Sequence, residues 1–312
     1  MSLLIQYTLI FASVLMLVAL GGCFSEHSGV INLGLEGIMV MGALGGALVM
    51  KAMGSSSAVV VIIGTIAVSA LSGVVYSMLL AVASINFSAD QTLIGTAMNM
   101  LAAAAATVAV KSINIAENPD NVSSTVVYGA AKKSLVIKLG VFQLSWLTIV
   151  AVILLIISYV LLYKTRFGLR LMACGEHPQA ADSVGINVAK MRWAGVLISG
   201  FLGGLGGITY ITAGVSEWKF ETGVAGFGFL ALAVMIFGQW KPINIGLAAL
   251  LFGFFRALSN VYSGFDFLTA LNIPGSIYNM MPYIISLLVL AFTSKNSRAP
   301  KAEGIPYDKS VR

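Results

Sequence analysis

Charged residues are scarce in this chain. Of its 312 residues, 18 are Lys or Arg and 12 are Asp or Glu, so charged residues make up 10% of the sequence. A soluble domain averages about 25%. The few charges stand between long apolar runs, which excludes an ordinary soluble fold and indicates a protein that crosses a membrane several times. The net charge of +6 then reflects Lys and Arg retained on the cytoplasmic face, and we expect no binding to nucleic acid.

Histidine and cysteine are scarce as well. His27 and His177 lie far apart in the sequence, and Cys23 and Cys174 have no partner at the spacing of a metal site. The sequence also lacks HExxH, GxSxG and P-loop motifs. We therefore expect no metal, no cofactor and no catalytic residues in this chain, which is not predicted to be an enzyme. Any energy it uses must come from an ion gradient or from an ATPase on another chain.

Long apolar segments are the dominant feature, and they predict an all-α polytopic membrane protein with about nine (eight to ten) transmembrane helices. About 20 helical residues cross the hydrocarbon core. One segment, 228–240, is short for a full crossing, so a broken or re-entrant piece is possible within 214–240. The nine segments are 3–22, 30–50, 58–83, 91–110, 144–163, 193–213, 228–240, 243–262 and 276–293.

Basic residues predict the orientation. The short loop 164–192 and the tail 294–312 each carry five of them, and four apolar segments separate the two, so both are placed in the cytoplasm and the N-terminus outside. The mixed-charge loop 111–143 falls outside in this topology. We divide the chain into a transmembrane domain, residues 1–294, which includes the cytoplasmic loop, and a flexible cytoplasmic tail, residues 295–312. The basic loop residues are Lys164, Arg166, Arg170, Lys190 and Arg192.

Two glycine-rich segments, 29–41 and 223–235, resemble each other. Five positions are identical in the ungapped alignment, among them Gly29 with Gly223 and Gly34 with Gly228. The segments open the second and seventh apolar segments, so they would run in opposite directions through the membrane. That is the arrangement of inverted repeats with broken helices around a central site. Chance similarity between glycine-rich helix starts is the alternative.

A few polar and aromatic residues within the apolar segments are candidates for a translocation path. Glu36 is costly at bilayer depth and should face protein or water; it either lines the path or bonds to backbone at a helix break near Asn32. Asn99 either contacts substrate or bridges helices. Arg256 is the other intramembrane charge, and we expect it to reach toward Asp266 or Glu221. The candidate path residues are Asn32, Glu36, Asn99, Phe227 and Phe229.

Several motifs together resemble one family. GVINLGLEGIM at 29–39 and GTAMN at 95–99, with further matches at 168–170, 173–178, 180–182, 185–187 and 226–233, are similar to permease subunits of bacterial ABC importers in the branched-chain amino acid and ribose permease superfamily. The start of the second segment looks most like the nucleoside-type branch. The resemblance implies an importer-type permease fold in the bacterial cytoplasmic (inner) membrane, with residues 1–294 as the permease domain.

The resemblance also implies partners and a docking surface. The expected partners are a second, non-identical permease, a cytoplasmic ABC ATPase that binds ATP and magnesium, and an extracytoplasmic substrate-binding lipoprotein. Residues 168–185 would form the coupling helices that dock into the ATPase. The residues carried over by the motif are Gly168, Arg170, Ala173, Gly175, Glu176, Pro178, Ala180, Ala181, Asp182 and Gly185.

The substrate implied is a nucleoside, with riboflavin or a simple sugar as the alternative. A different class of protein, a secondary transporter driven by an ion gradient, would need several ionisable residues at mid-membrane for coupling. This chain offers essentially Glu36 and Arg256, which favours the ABC permease.

Overall fold

Helices account for nearly all of the structure. The computed structural model describes residues 2–139, 142–265, 274–293 and 299–308. Each of the nine predicted segments corresponds to a helix, and seven helices in these ranges are long and apolar enough to cross a membrane. The all-α polytopic class is therefore confirmed. The seven are α1 (Ser2–His27), α2 (Leu35–Ala52), α3 (Ala58–Ala81), α4 (Gln91–Glu117), α6 (Trp146–Lys164), α9 (Val188–Ile211) and α11 (Pro242–Val261).

Four of the five remaining helices in the described ranges are short. Among them, α10 (Phe227–Phe237) has only 11 residues and cannot cross the hydrocarbon core alone. Helix α12 (Gly275–Thr293) contains Pro282. The others are α5 (Gly129–Lys132), α7 (Arg166–Glu176) and α8 (Pro178–Ser183).

Helix α9 lies at the centre of the bundle. Of its most apolar 18 residues, 78% are buried, against 28% for the corresponding windows of α3, α4 and α6. Its glycines allow this: a Cβ on Gly204 would strike the Ser69 carbonyl of α3, and one on Gly207 would strike the Met39 carbonyl of α2. Small residues permit such close approach in lipid.

Helices α2 and α10 meet at their N-termini. Helix α1 ends at His27, and the chain is not helical again until Leu35. Contacts of Phe11 with Phe227 and of Glu26 with Trp240 show that α1 and α10 run in the same direction. Helix α9 is antiparallel to α1 and parallel to α2, so α2 and α10 run in opposite directions. This arrangement agrees with the expected inverted, broken helices.

One face of the bundle carries a small structured cap instead of a simple loop. Strands β1 (Thr125–Val127) and β4 (Glu217–Lys219) pair antiparallel, and β2 (Val136–Leu139) pairs with β3 (Phe142–Ser145). Helix α4 extends to Glu117 instead of ending near residue 110. Hydrogen bonds from Lys111 and Lys219 lower the pKa of the Glu221 carboxyl to about 2. This ion cluster therefore stays charged at any pH near neutrality.

The opposite face carries α7 and α8, and it differs from the expected open loop and loose tail. The predicted loop 164–192 contains these two helices and the first turn of α9. Arg192, one of the five basic residues of this loop, is only 1% exposed. Residues 299–308 of the predicted flexible tail pack against this face, where the Ala302 amide donates to the Gly175 carbonyl (2.8 Å). Arg192 and this part of the tail are thus in contact with backbone groups, which a charge count of the sequence does not register.

Candidate functional site

Glu36 caps a helix that has no cap of its own. Helix α10 begins after Gly226, which has a positive φ of 79° that suits glycine. Because glycine has no side chain, Gly226 cannot accept hydrogen bonds from the first amides of the helix. The Glu36 carboxylate accepts hydrogen bonds from the amides of Gly226 (2.8 Å) and Gly228 (2.6 Å). Its charge also faces the positive end of the α10 dipole. Of the two predicted roles of Glu36, the structure shows the backbone contact, although to α10 and not to the break near Asn32.

Two asparagines hold the non-helical chain before α2. The Asn32 side chain donates to the Ser199 hydroxyl (2.8 Å) and accepts from the Gly34 amide (3.1 Å). The Asn99 side chain accepts from the Gly37 amide (2.8 Å) and donates to the Leu33 carbonyl (2.9 Å). These bonds satisfy backbone groups that a broken helix leaves unpaired. Both side chains therefore connect the chain before α2 to a neighbouring helix. For Asn99 this is the predicted bridging role, as opposed to contact with substrate.

The two candidate phenylalanines lie in different environments. Phe227 is fully buried, with its ring 4.4 Å from that of Tyr210 and 5.7 Å from that of Phe11. Phe229 is 50% exposed. Only Phe229 is therefore available to a partner or a solute. The aromatic cluster around Phe227 is a packing feature that no local sequence signal indicated.

Arg256 packs on this aromatic cluster. Its guanidinium carbon lies 5.4 Å from the centre of the Phe227 ring and 5.7 Å from that of Phe11, a favourable cation–π geometry. Glu221, one predicted partner, is bound instead by Lys111 and Lys219. The other, Asp266, lies outside the described residues. The expected reach toward Glu221 was wrong because two lysines are closer to that carboxylate.

Glu36, Asn99 and Phe229 form one partly exposed surface at the junction of α2 and α10. Asn99 binds the backbone on either side of Glu36, and Glu36 binds the start of α10, which carries Phe229. Asn32 and Phe227 are fully buried beneath this surface. The structure thus brings three of the five candidate path residues to a surface and places two in the core.

Helices α7 and α8 form a projecting surface opposite the cap. Thr165 caps α7 by accepting from the Gly168 amide (3.2 Å), and Pro178 opens α8. The predicted coupling residues divide between two sides of these helices. Arg170, Glu176, Ala180 and Gly185 are exposed; Ala173 and Asp182 are partly exposed; Gly168, Gly175, Pro178 and Ala181 are buried.

The buried glycines hold α7 against the membrane helices. A Cβ on Gly168 would strike the carbonyls of Leu161 and Leu162 at the end of α6, and one on Gly175 would strike the carbonyl of His27 at the end of α1. These residues therefore face this chain and not a partner. At these two points the backbone of α7 therefore lies directly against the backbones of α6 and α1, with no side chain between them.

Two exposed apolar residues on this surface were missed. Leu169 is 58% exposed and Val184 is 75% exposed. Neither lies in one of the helices that are long and apolar enough to cross a membrane. Single exposed apolar side chains are common on protein surfaces, and these two are candidate contacts because they lie within the predicted coupling segment 168–185. The strongly amphipathic sequence of α7 was the available signal.

Comparison with known proteins agrees with this architecture. The family model described as "Branched-chain amino acid transport system / permease component" matches residues 4–291. The chain belongs to this permease family. No solved structure matches it at a significant level.

Two curated relatives match over essentially the full length, and a third matches about half of the chain. The guanosine ABC transporter permease NupQ of Bacillus subtilis (strain 168) is 40% identical, over 100% of this chain and 98% of its own. The nucleoside ABC transporter permease NupC of Lactococcus lactis subsp. cremoris (strain MG1363) is 38% identical, over 99% and 98%. NupB, a nucleoside ABC transporter permease of the same strain, is 27% identical over 53% of this chain and 43% of its own length. The chain is thus a multi-pass permease component of an ABC transport system.

Proposed function

We propose that this chain is the transmembrane subunit of an ATP-driven importer of nucleosides, with guanosine as the first substrate to test. The observation that carries the proposal is the 40% and 38% identity, over essentially the whole chain, to permeases named for guanosine and for nucleosides. The absence of a cluster of three or more His, Cys, Asp or Glu able to hold a metal, among the described residues, is compatible with this role.

The proposed assembly contains a second permease, a cytoplasmic ATPase that binds ATP and magnesium, and an external substrate-binding lipoprotein in a bacterial inner membrane. The occurrence of two distinct nucleoside permeases, NupC and NupB, in one Lactococcus strain supports a non-identical partner. In this assembly α7 and α8 face the cytoplasm together with the C-terminus, and the strand cap and the N-terminus face outward.

The geometry suggests how coupling would work. ATP binding draws the ATPase halves together and shifts α7 and α8, which it grips through their exposed residues. The tight backbone contacts of Gly168 and Gly175 pass that shift to α6 and α1. The surface of Glu36, Asn99 and Phe229 would face the second permease and line a central path, whose two halves then separate or close.

Reconstitution tests the proposal. Proteoliposomes containing this chain with its cognate permease, ATPase and binding protein should take up guanosine only when ATP is supplied on the ATPase side. Adenosine, riboflavin and glucose serve as competing substrates. Uptake of riboflavin or glucose without uptake of any nucleoside would contradict the proposed substrate.

A simpler preparation tests the rival class. Proteoliposomes containing this chain alone should show no uptake under a sodium or proton gradient. Gradient-driven accumulation in the absence of the ATPase would establish a secondary transporter and overturn the assignment of the chain to an ATP-driven importer.

A further inference from the structure

The described part of the C-terminal tail, residues 299–308, forms a strap across the α7–α8 face. The Ala302 amide donates to the Gly175 carbonyl (2.8 Å), and Arg192 Nη1 donates to the Ile305 carbonyl (2.9 Å). Pro300 and Ala302 are buried. One hydrogen bond therefore joins the C-terminal strap to the end of α7 and another joins it to the start of α9.

The C-terminal strap also contacts α8 and the non-helical chain before α2. Tyr307 packs on the small buried cluster of Cys174, Ala181 and Val188, and the Arg192 guanidinium lies 6.0 Å from its ring centre. Gly304, with a positive φ of 76°, lies against Ile31. The C-terminal strap thus touches the buried side of α7 and α8 at one point and the break that leads to Glu36 at another.

The C-terminal strap brings one of its own carboxyls, that of Glu303, near a carboxyl at the end of α1, that of Glu26. Glu26, at the end of α1, is 4% exposed and accepts a hydrogen bond from the Trp240 indole (2.5 Å). Glu303 lies close enough to interact electrostatically with it, and burial raises the pKa of the Glu303 carboxyl to about 7. Glu303 Oε2 is buried and has no hydrogen-bond partner within the described ranges. A buried carboxyl and a half-buried carboxyl that interact in this way disfavour a double negative charge.

Other titratable groups surround this pair. The Cys174 thiol stays neutral because burial raises its pKa to about 11. None of the ion pairs found in the described residues involves Glu26 or Glu303. The groups that face the region are Cys23 and His27 from α1, Cys174 and Glu176 from α7, Arg192 from α9, and Tyr307 from the C-terminal strap itself.

We propose that the C-terminal strap is a positioning element of the coupling apparatus, which holds α7 and α8 against the α1–α2 break, and that Glu303 makes its docking dependent on protons. The proposal rests on the proposed function, because it assigns a role within ATP-driven coupling. A docked strap transmits movement of α7 to the break; a detached strap leaves α7 attached only through its own packing on the neighbouring helices.

The sign of the pH effect follows from proton binding. Detached, Glu303 has the ordinary glutamate pKa of 4.5; docked, its pKa is about 7. The docked state therefore binds more protons, so docking is strongest at low pH and weakens as the pH rises through the docked value. Between about pH 6 and about pH 8 the docking equilibrium should fall about tenfold, and above that range it should level off.

The test compares the complete wild-type complex with three variants of this chain. Glu303→Gln has an uncharged side chain of the same size, and a second variant is truncated after residue 298. Lys301→Gln, at an exposed position of the C-terminal strap, is the control. The measured quantity is the coupling ratio, the number of substrate molecules transported per ATP hydrolysed, as the pH on the ATPase side of the membrane is varied. The wild type and Lys301→Gln should lose coupling as the pH rises through about 7. Glu303→Gln should stay coupled, and the truncated chain should be poorly coupled throughout. A Glu303→Gln profile that matches the wild type, or normal coupling after truncation, would overturn the proposal.

Hydrogen exchange of backbone amides, measured on this chain alone, separates the proposal for the C-terminal strap from the proposed function. The Ala302 amide should be protected at low pH in the wild type, and at both low and high pH in Glu303→Gln, after correction for intrinsic exchange. An unprotected Ala302 amide would overturn the positioning role even if nucleoside uptake is observed. Protection of this amide with no nucleoside uptake would instead count against the proposed function alone.

Discussion

At the scale of single residues, the most consequential contacts are made by groups far apart in sequence. Glu36 caps α10 across 190 residues, and Gly175 seats α7 on the end of α1. A carboxylate within an apolar segment could be recognised from sequence as unusual. Its partner could not, because the amides of Gly226 and Gly228 carry no side-chain signal.

Replacing Glu36 with Gln tests the cap. The amide oxygen can accept a hydrogen bond, but the negative charge at the α10 N-terminus is lost and one amide is left without a full acceptor. We expect the free energy of unfolding to fall by about 1–3 kcal/mol, with reduced transport, as measured by thermal unfolding in detergent and by uptake. Asp120→Asn, at an exposed site on the capped face, should change neither. Unchanged stability of Glu36→Gln would show that the cap contributes little.

Replacing Gly175 with Ala tests the seat of α7. The new methyl group would strike the His27 carbonyl, and such overpacking costs about 1–3 kcal/mol. We expect the protein to reach the membrane and bind the ATPase, with ATP hydrolysis that no longer drives uptake. Gly264→Ala, where a Cβ meets nothing within 4 Å, is the matched control. Normal uptake by Gly175→Ala would argue against a rigid contact there.

At the scale of elements, α7 and α8 present two sides with different tasks. Their buried side fixes them to the membrane helices, and their exposed side is open to a partner. The sequence motif placed both helices within 168–185, but it did not separate the two sides. Burial depends on which helix ends lie beneath α7, and only the packed structure shows that.

If the exposed side of α7 and α8 binds the ATPase, a charge introduced there should weaken that binding. Val184→Asp places a charge on an apolar side chain that is 75% exposed, where desolvation on docking becomes costly. Recovery of the ATPase by affinity purification of the tagged complex should fall. Val122→Asp is the same change at a valine that is 65% exposed on the capped face, and it should leave recovery normal. Equal recovery from both variants would remove Val184 from the docking surface.

At the scale of the whole molecule, two faces of different construction enclose the bundle. One carries the strand cap and the ion cluster of Glu221, and the other carries α7, α8 and the C-terminal strap. The basic residues of loop 164–192 and of the tail predict which face is cytoplasmic. The loop 111–143, which contributes to the cap, has four lysines and fits the rule that basic loops are cytoplasmic least well.

Cysteine labelling tests the orientation. Asp120→Cys and Ser183→Cys introduce thiols on the two faces, and the native Cys23 and Cys174 are both buried. In intact cells an impermeant maleimide should label Asp120→Cys and not Ser183→Cys, and both should react in opened membranes. Labelling of Ser183→Cys in intact cells would reverse the topology.

The sequence by itself determined the class of this protein, the approximate positions of its nine helices and the permease family. These follow from apolar length and from local motifs, because a lipid environment demands long helices whatever their neighbours are. Only the tertiary structure decided which polar residues are used inside the bundle, which face outward, and that residues 299–308 are bound. Those outcomes depend on backbone amides and carbonyls, which every residue has and which become specific partners only when distant segments are packed together.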